Sequence, residues 1–139
     1  MRALFLDFDG VTHPVGGAPG YTLPFEWLPV LTGLLSSAPD VRLVIHSSWV
    51  ERYSFDELRE FLGPLADRTI GAVGLGRKAD AIEAFLLAHP EIDSWLVVDD
   101  CPSEFPRAHF KSLVACDSEL GLSDPAVQSQ ISRWLSAQR

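Results

Sequence analysis

The chain has little of what disulfide scaffolds, zinc sites and membrane spans require. Its only cysteines, Cys101 and Cys116, form neither a C-x-x-C motif nor a Cys/His cluster, which excludes a disulfide framework and a zinc signature. No apolar run reaches the roughly 18 residues of a membrane span, and the chain begins on an apolar strand rather than a signal peptide. These absences predict a soluble, unprocessed protein in the reducing cytoplasm, with no membrane contact.

Positive charge is also scarce. The 11 Lys and Arg residues against 19 Asp and Glu residues give a net charge of −8. This balance repels an extended polyanion unless the positive residues share one face, and the closest to a basic cluster is the dipeptide Arg77-Lys78. We therefore expect no extended nucleic-acid groove, and a bound divalent cation would offset the repulsion locally.

Apolar residues are abundant, at 47% of the 139 residues, which suits a single globular domain over residues 1–139. Helix signals include Pro29 in a first turn, the capping box of Ser54 and Glu57, and Asp124-Pro125 as an N-cap and first-turn proline. The predicted helices are residues 25–37, 54–62, 79–88 and 125–137. The predicted strands are residues 4–6, 41–45, 69–73, 95–98 and 113–116.

Strands and helices alternate along the chain, which predicts a Rossmann-like α/β/α domain with a parallel sheet of about five strands. Ligands bind such sheets outside the carboxyl ends of the strands. Pairs of polar residues follow strands at three places: Asp7 and Asp9, Ser47 and Ser48, and Asp99 and Asp100. We expect all of them to meet at one edge of the sheet.

The segment Asp7-Phe8-Asp9-Gly10 sets two carboxylates beside each other where the first strand ends. Repulsion between carboxylates about 4 to 6 Å apart raises one pKa or recruits a cation, which favours chemistry. The alternative is an ordinary turn, because Asp and Gly are common turn residues. The glycines and prolines of residues 13–20 predict a mobile loop next to these carboxylates.

Four motifs occur in order: Asp7-Phe8-Asp9-Gly10-Val11, Ile45-His46-Ser47, Lys78 before a helix, and Asp99-Asp100. In this combination the sequence resembles the haloacid dehalogenase (HAD) superfamily of phosphatases and phosphotransferases. Asp-Gly-Val-x-His-Pro near the start, Ser-Ser-Trp after the second strand and Gly-Leu-Ser before Asp124 are similar, more narrowly, to the HAD domains described in RNA repair proteins.

The resemblance implies that Asp7 is a nucleophile forming an aspartyl phosphate and that Asp9 is the general acid and base. Superfamily members that act on carbon–halogen bonds lack this second acid, so Asp9 favours phosphoryl transfer. The implied cofactor is Mg²⁺, with Asp99 as a direct ligand and Asp100 bonding a metal-bound water or Lys78. The implied metal residues are Asp7, Asp9 (through its carbonyl), Asp99 and Asp100.

The resemblance also implies that Ser47 binds a phosphoryl oxygen and that Lys78 balances its charge, with Ser48 and Arg77 as alternatives. The candidate substrate contacts are Ser47, Ser48, Gly10 and His13. His46 packs or hydrogen bonds under the sheet in the simpler interpretation. Trp49 either covers the end of the sheet or offers a stacking platform for a base.

About 37 residues separate Asp9 from Ser47, and one helix and a loop occupy them, so we expect no folded cap domain. An uncapped site suits a phosphorylated macromolecule end or a small phosphate ester. The leading hypothesis is a Mg²⁺-dependent phosphomonoesterase. A phosphotransferase, a nucleic-acid end-processing phosphatase and a non-catalytic binding module on the same fold are the alternatives.

Overall fold

The computed structural model describes residues 1–14 and 24–137. Its strands are β1 (Arg2–Leu6), β2 (Arg42–Ile45), β3 (Thr69–Ala72), β4 (Ser94–Asp99) and β5 (Leu113–Ala115). Its α-helices are α1 (Leu28–Leu35), α2 (Phe55–Phe61), α3 (Lys78–Ala88) and α4 (Pro125–Ala137). Short 3₁₀ segments cover Ser48–Glu51, Gly63–Arg68, Pro102–Glu104, Arg107–Ser112 and Gly121–Ser123.

The strands form one parallel sheet in the order β3-β2-β1-β4-β5, which confirms the predicted Rossmann-like α/β fold. Leu6, the last residue of β1, pairs with Ile45 of β2 and with Val98 of β4. The chain runs outward from β1 to β3 and then returns to start β4 on the other side of β1. This reversal makes the carboxyl ends of β1 and β4 the switch point where such sheets bind ligands.

Helices cover both faces of the sheet, as predicted. Because side chains alternate along a strand, Leu4 and Leu6 of β1 join the core beneath α1, α2 and α4, whereas Ala3 and Phe5 join the core beneath α3. All five residues of β1 are buried. The sheet is therefore a rigid platform for the polar residues that follow its strands.

Two of the predicted helix-start signals, those of α2 and α4, are present in the structure. Ser54 Oγ accepts from the Glu57 N–H and Glu57 Oε1 accepts from the Ser54 N–H, which completes the capping box. At the start of α4, Asp124 Oδ1 accepts from the Ala126 N–H at 2.9 Å. Capping of this kind satisfies backbone donors that a helix leaves free.

Helix α1 begins at Leu28, not at residue 25 as predicted. Phe25 has a left-handed φ of 60° and residues 24–27 form a turn, so the apolar periodicity starts before the helix does. Most of the loop predicted over residues 13–20 lies outside the described residues. Between Asp9 and Ser47 the described part contains no helix other than α1, and no described helix is long and apolar enough to cross a membrane.

Substituting Gly121 tests how closely this part of the fold is packed. Its φ is +46°, and an added Cβ would lie 2.5 Å from the Val11 carbonyl oxygen and 2.4 Å from the Trp27 ring. We expect Gly121→Ala to lower the free energy of unfolding by about 2–4 kcal/mol, since left-handed backbone strain adds to overpacking. Urea denaturation measures this loss.

Gly33→Ala is the matched control, because Gly33 lies in α1 with nothing within 4 Å of an added Cβ. Removing a helical glycine stabilises by about 0.5–1 kcal/mol. Equal effects of the two substitutions on the urea midpoint would contradict the described packing at Gly121.

Candidate active site

Asp7 lies at the carboxyl end of β1, at the switch point of the sheet. Its N–H continues the sheet by donating to the Val98 carbonyl at 3.2 Å, and the next residue leaves the sheet. The Phe8 N–H then donates to Asp7 Oδ1 at 2.8 Å. Asp7 is 4% exposed, so its position is fixed and its contact with water is small.

Lys78 reaches this carboxylate from the first turn of α3. Its Nζ lies 3.3 Å from Asp7 Oδ2 and 2.9 Å from Asp99 Oδ2, with Glu104 Oε2 at 3.5 Å. Burial lowers the pKa of Lys78, but the charge of Asp7 and the hydrogen bond to Asp99 outweigh it and raise the pKa. Lys78 is therefore a fixed positive charge between two carboxylates.

Asp99 ends β4 and has no exposed surface. Its Oδ2 accepts from Lys78 and, at 2.9 Å, from His46 Nε2, while its Oδ1 accepts from the Cys101 N–H at 2.7 Å. Burial raises the pKa of Asp99, but the hydrogen bonds from His46 and Lys78 lower it further than burial raises it. Asp99 is thus an ionised group whose oxygens already have partners.

His46 lies under the sheet end, as expected, and is fully buried beside Asp99. Burial lowers its pKa despite the opposing hydrogen bond to Asp99, so the ring is neutral. The neutral ring donates to Asp99 through Nε2, and its Nδ1 has no hydrogen-bond partner among the described residues. His46 therefore holds one oxygen of Asp99 in place.

Burial, followed by repulsion from Asp99, raises the pKa of Asp7 to about 8, against the opposing effect of Lys78. One lysine is therefore too little positive charge for the two carboxylates. A site with this imbalance gains stability when a further cation binds.

Asp9 points its carboxylate toward neighbours on two other segments. Its Oδ1 lies 2.9 Å from His13 Nε2, and its Oδ2 accepts from the Trp49 indole N–H at 3.0 Å. The Asp9 side chain is 47% exposed, whereas that of His13 is 8% exposed. Of the two acids in the first motif, Asp7 is enclosed and Asp9 faces solvent.

Gly10 brings the turn after β1 against Asp100. Its φ is +77°, and a Cβ at this position would lie 2.3 Å from Asp100 Oδ2. Ser118 Oγ donates to the same Asp100 oxygen at 2.9 Å. Only glycine allows this approach, which sets the turn that follows Asp9 beside the fourth motif.

Ser47 is buried at the end of β2 and its Oγ accepts from the Trp49 N–H at 3.2 Å, whereas Ser48 is exposed. Both serines, with His46 and Lys78, line a cavity of about 90 Å³. The structure therefore brings the second and third motifs to the same cavity. Arg77 is the N-cap residue of α3, and Lys78, not Arg77, holds the ion pairs with the carboxylates.

The sequence was compared with models of known protein families. A family model described as the HAD domain in Swiss Army Knife RNA repair proteins matches residues 3–127. The chain belongs to this family. No curated protein and no solved structure matches it significantly.

The predicted resemblance is therefore confirmed, and membership of the HAD family indicates a hydrolase of the phosphatase type. All four motifs of this HAD domain lie at the carboxyl edge of its sheet: β1 carries the first, β2 the second, the start of α3 the third and β4 the fourth. Between the first two motifs, the described residues contain one helix and no cap domain.

HAD domains typically use Mg²⁺, and the acidic residues here fit such an ion. Asp99, Asp100 and Cys101 offer ligand atoms within 4.8 Å of one another. Burial and the charge of Asp100 raise the pKa of Cys101 to about 11, so its thiol stays protonated. The donors left in this group are the carboxylate oxygens of Asp100 and those of Asp99, which already accept from His46, Lys78 and the Cys101 N–H. Carboxylate oxygens suit a hard cation such as Mg²⁺.

Some contacts of the HAD domain were missed from the sequence. Lys78 pairs with Asp99, whereas Lys78 and a metal-bound water were the predicted alternative partners of Asp100, and Glu104 joins the same lysine. Trp49 bonds Asp9 instead of only covering the sheet end. The one sequence signal for this last contact is that Trp49 follows Ser47-Ser48 directly, which sets it beside the site.

Proposed function

We propose that the protein is a Mg²⁺-dependent phosphohydrolase that works through an aspartyl phosphate on Asp7, with Asp9 as general acid and base. The observation that supports this most is Lys78 Nζ, which lies between Asp7 Oδ2 at 3.3 Å and Asp99 Oδ2 at 2.9 Å. A carboxylate nucleophile needs such a cation, since a phosphoryl group brings further negative charge to it.

In the first step an Asp7 oxygen attacks phosphorus, and the bond from phosphorus to the leaving oxygen breaks. The Phe8 N–H on Oδ1 and Lys78 on Oδ2 hold the carboxylate plane for this attack. Lys78 then offsets the charge of the phosphoryl oxygens. Ser47, which lines the same cavity as Lys78, donates its hydroxyl proton to one of these oxygens.

Asp9 supplies the proton that the leaving oxygen needs. It then takes a proton from the water that attacks phosphorus, and the bond between phosphorus and Asp7 breaks to release phosphate and restore the carboxylate. Exposure suits Asp9 to both transfers, because each requires contact with a group arriving from solvent. The buried Asp7 and exposed Asp9 thus divide nucleophile and acid/base roles.

We assign the metal residues as Asp7, Asp100 and the backbone carbonyl of Asp9. Asp99 was expected to be a direct ligand. Both of its carboxylate oxygens accept hydrogen bonds, from Lys78, His46 and the Cys101 N–H, so we assign it to orient Lys78. A bound Mg²⁺ would supply positive charge to the transferring phosphoryl group.

For the substrate we propose a phosphorylated RNA end, on the strength of the family description. The net charge of −8 disfavours long nucleic acid, but an end brings few phosphates to the site. The exposed Asp9 also suits an end that covers the site itself, because a substrate of that size excludes water where a cap is missing.

Turnover with and without Mg²⁺ tests the proposal. The substrates are p-nitrophenyl phosphate, small phosphate esters, and oligonucleotides with 5′- or 3′-phosphates. We expect phosphate release that EDTA stops and added Mg²⁺ restores, with the highest kcat/KM on one class of oligonucleotide end. No release from any of these substrates with Mg²⁺ present would contradict the proposed activity.

Alanine substitutions of Ser47 and Ser48 show which serine contacts the phosphoryl group. We expect Ser47→Ala to lower kcat/KM by about 10–100-fold, since one hydrogen bond to the transferring group is lost, and Ser48→Ala by less than about 3-fold. The measurement is the initial rate on p-nitrophenyl phosphate with saturating Mg²⁺. The reverse order would move the phosphate contact to Ser48.

A further inference from the structure

The Asp9 carboxylate is held by two donors that come from different parts of the fold. His13 follows β1 along the chain, whereas Trp49 lies in the 3₁₀ segment Ser48–Glu51 after β2. His13 occupies Oδ1 at 2.9 Å and Trp49 occupies Oδ2 at 3.0 Å. One bond on each oxygen fixes the rotation of the carboxylate, which a single donor would leave free.

The hydrogen bonds of His13 define which of its nitrogens carries the proton. The Phe25 N–H donates to Nδ1 at 3.1 Å, so Nδ1 is an acceptor and the proton lies on Nε2. The Thr12 hydroxyl oxygen also lies 3.1 Å from Nδ1, but its proton goes to the Phe8 carbonyl at 3.0 Å, so the Phe25 N–H is the donor to Nδ1. His13 is thereby a neutral ring whose N–H donates to Asp9.

Trp49 is held by the rings around it. Aromatic centroids lie 5.4–5.7 Å from its own, and these neighbours are Phe8, His13, Phe25, Tyr53 and Phe61. Most of them meet it edge to face, the geometry that aromatic pairs favour. Packing of this kind fixes the direction of the indole N–H, and with it the direction of the bond to Asp9.

We infer that His13 and Trp49 form a clamp that holds the exposed Asp9 carboxylate in the orientation for proton transfer. Both are positioning residues, which act through Asp9 and not through contact with the phosphoryl group. The inference rests on the proposed function, in which Asp9 protonates the leaving oxygen. It assigns His13 a role other than the substrate contact that the sequence suggested.

Proton NMR of the ¹⁵N-labelled protein tests the clamp without any turnover. The Trp49 indole signal is assigned as the one lost in Trp49→Phe. We expect it to lie downfield, as for a hydrogen bond to a carboxylate, and to move upfield in Asp9→Ala while the Trp134 signal stays in place. An indole signal of Trp49 that does not respond to Asp9→Ala would overturn the clamp.

Kinetics test what the clamp does. The need for a general acid grows with the basicity of the leaving oxygen, so phenyl phosphate depends on Asp9 more than p-nitrophenyl phosphate does. We expect His13→Phe and Trp49→Phe, which keep an aromatic ring but remove its N–H donor, each to lower kcat/KM on phenyl phosphate at least 10-fold more than on p-nitrophenyl phosphate. General damage to the fold would lower both rates equally.

Trp134→Phe is the matched control. It also removes an indole hydrogen bond, to Ser94 Oγ at 3.2 Å, but at the start of β4, away from the site. We expect its ratio of the two kcat/KM values to equal that of the wild type. Equal losses on both substrates in both site variants would overturn the positioning role, whereas an inactive wild type whose Trp49 signal responds to Asp9→Ala would count against the proposed function and leave the clamp supported.

Discussion

Asp7→Asn is expected to lower phosphatase turnover by at least about 10³-fold while making the metal-free protein more stable. The first effect follows from the loss of the nucleophile, because an amide does not form the covalent intermediate. The second follows from the placement of Asp7, whose carboxylate is buried next to Asp99 with Lys78 as a shared cation.

The sign of the stability effect follows from the pKa of Asp7, which burial and Asp99 raise to about 8. A carboxyl whose pKa is raised on folding binds its proton more tightly in the folded state. Its contribution to stability is complete below its unfolded value of about 4 and is lost as the pH rises toward 8. Asp7→Asn removes this loss, so we expect it to be more stable by about 1–3 kcal/mol at pH 8 and little different at pH 4.

Thermal denaturation in EDTA across this pH range measures the difference. Asp67→Asn is the control, because Asp67 is exposed and precedes β3, at the opposite edge of the sheet. We expect it to leave the pH dependence of the wild type unchanged. A Tm of Asp7→Asn below that of the wild type at pH 8 would contradict the charge imbalance at the site.

Lys78→Met is expected to lower both the activity and the stability of the protein. Turnover should fall by about 10²–10³-fold, because the charge that faces the transferring phosphoryl group is gone. Two carboxylates then lose their shared cation, which we expect to cost about 2–4 kcal/mol of the free energy of unfolding at pH 7 in EDTA. Initial rates with Mg²⁺ and urea denaturation measure the two losses.

Arg77→Met is the matched control, one residue away on the same helix start. Lys78 holds the ion pairs with Asp7 and Asp99, so removing the Arg77 charge should change stability by less than about 0.5 kcal/mol. We also expect Asp7→Asn to stabilise Lys78→Met more than it stabilises the wild type, since it relieves the unpaired charge. Similar losses in the two single variants, Lys78→Met and Arg77→Met, would mean that Lys78 is not the cation of the site.

Much of the fold followed from local patterns in the sequence. The apolar run of β1, the capping box at Ser54 and Glu57, and Asp124-Pro125 before α4 each depend on neighbours within a few residues, and all three are confirmed. The start of α1 was wrong because Phe25 turns left-handed and joins the ring cluster around Trp49. Tertiary packing there overrides the helical periodicity.

The site, like the fold, was predicted from the sequence only in part. The edge of the sheet where the motifs lie followed from strand order, since residues after parallel strands share one edge. The partners did not follow, because contacts such as Lys78 with Asp99 and Trp49 with Asp9 join residues far apart in sequence. Which of two adjacent acids a lysine reaches depends on how β4 ends, and Asp99 proves to be the last residue of that strand.

Phosphorylation of Asp7 is detected by trapping the covalent intermediate during turnover. The protein is mixed with Mg²⁺ and a phosphate ester, quenched in acid within milliseconds, digested and analysed by mass spectrometry. We expect the phosphorylation to appear as one added phosphoryl group on the peptide that contains Asp7, removed by hydroxylamine and missing from Asp7→Asn. Rapid turnover of the ester with no phosphoryl group on this peptide, or with the same label in Asp7→Asn, would contradict it.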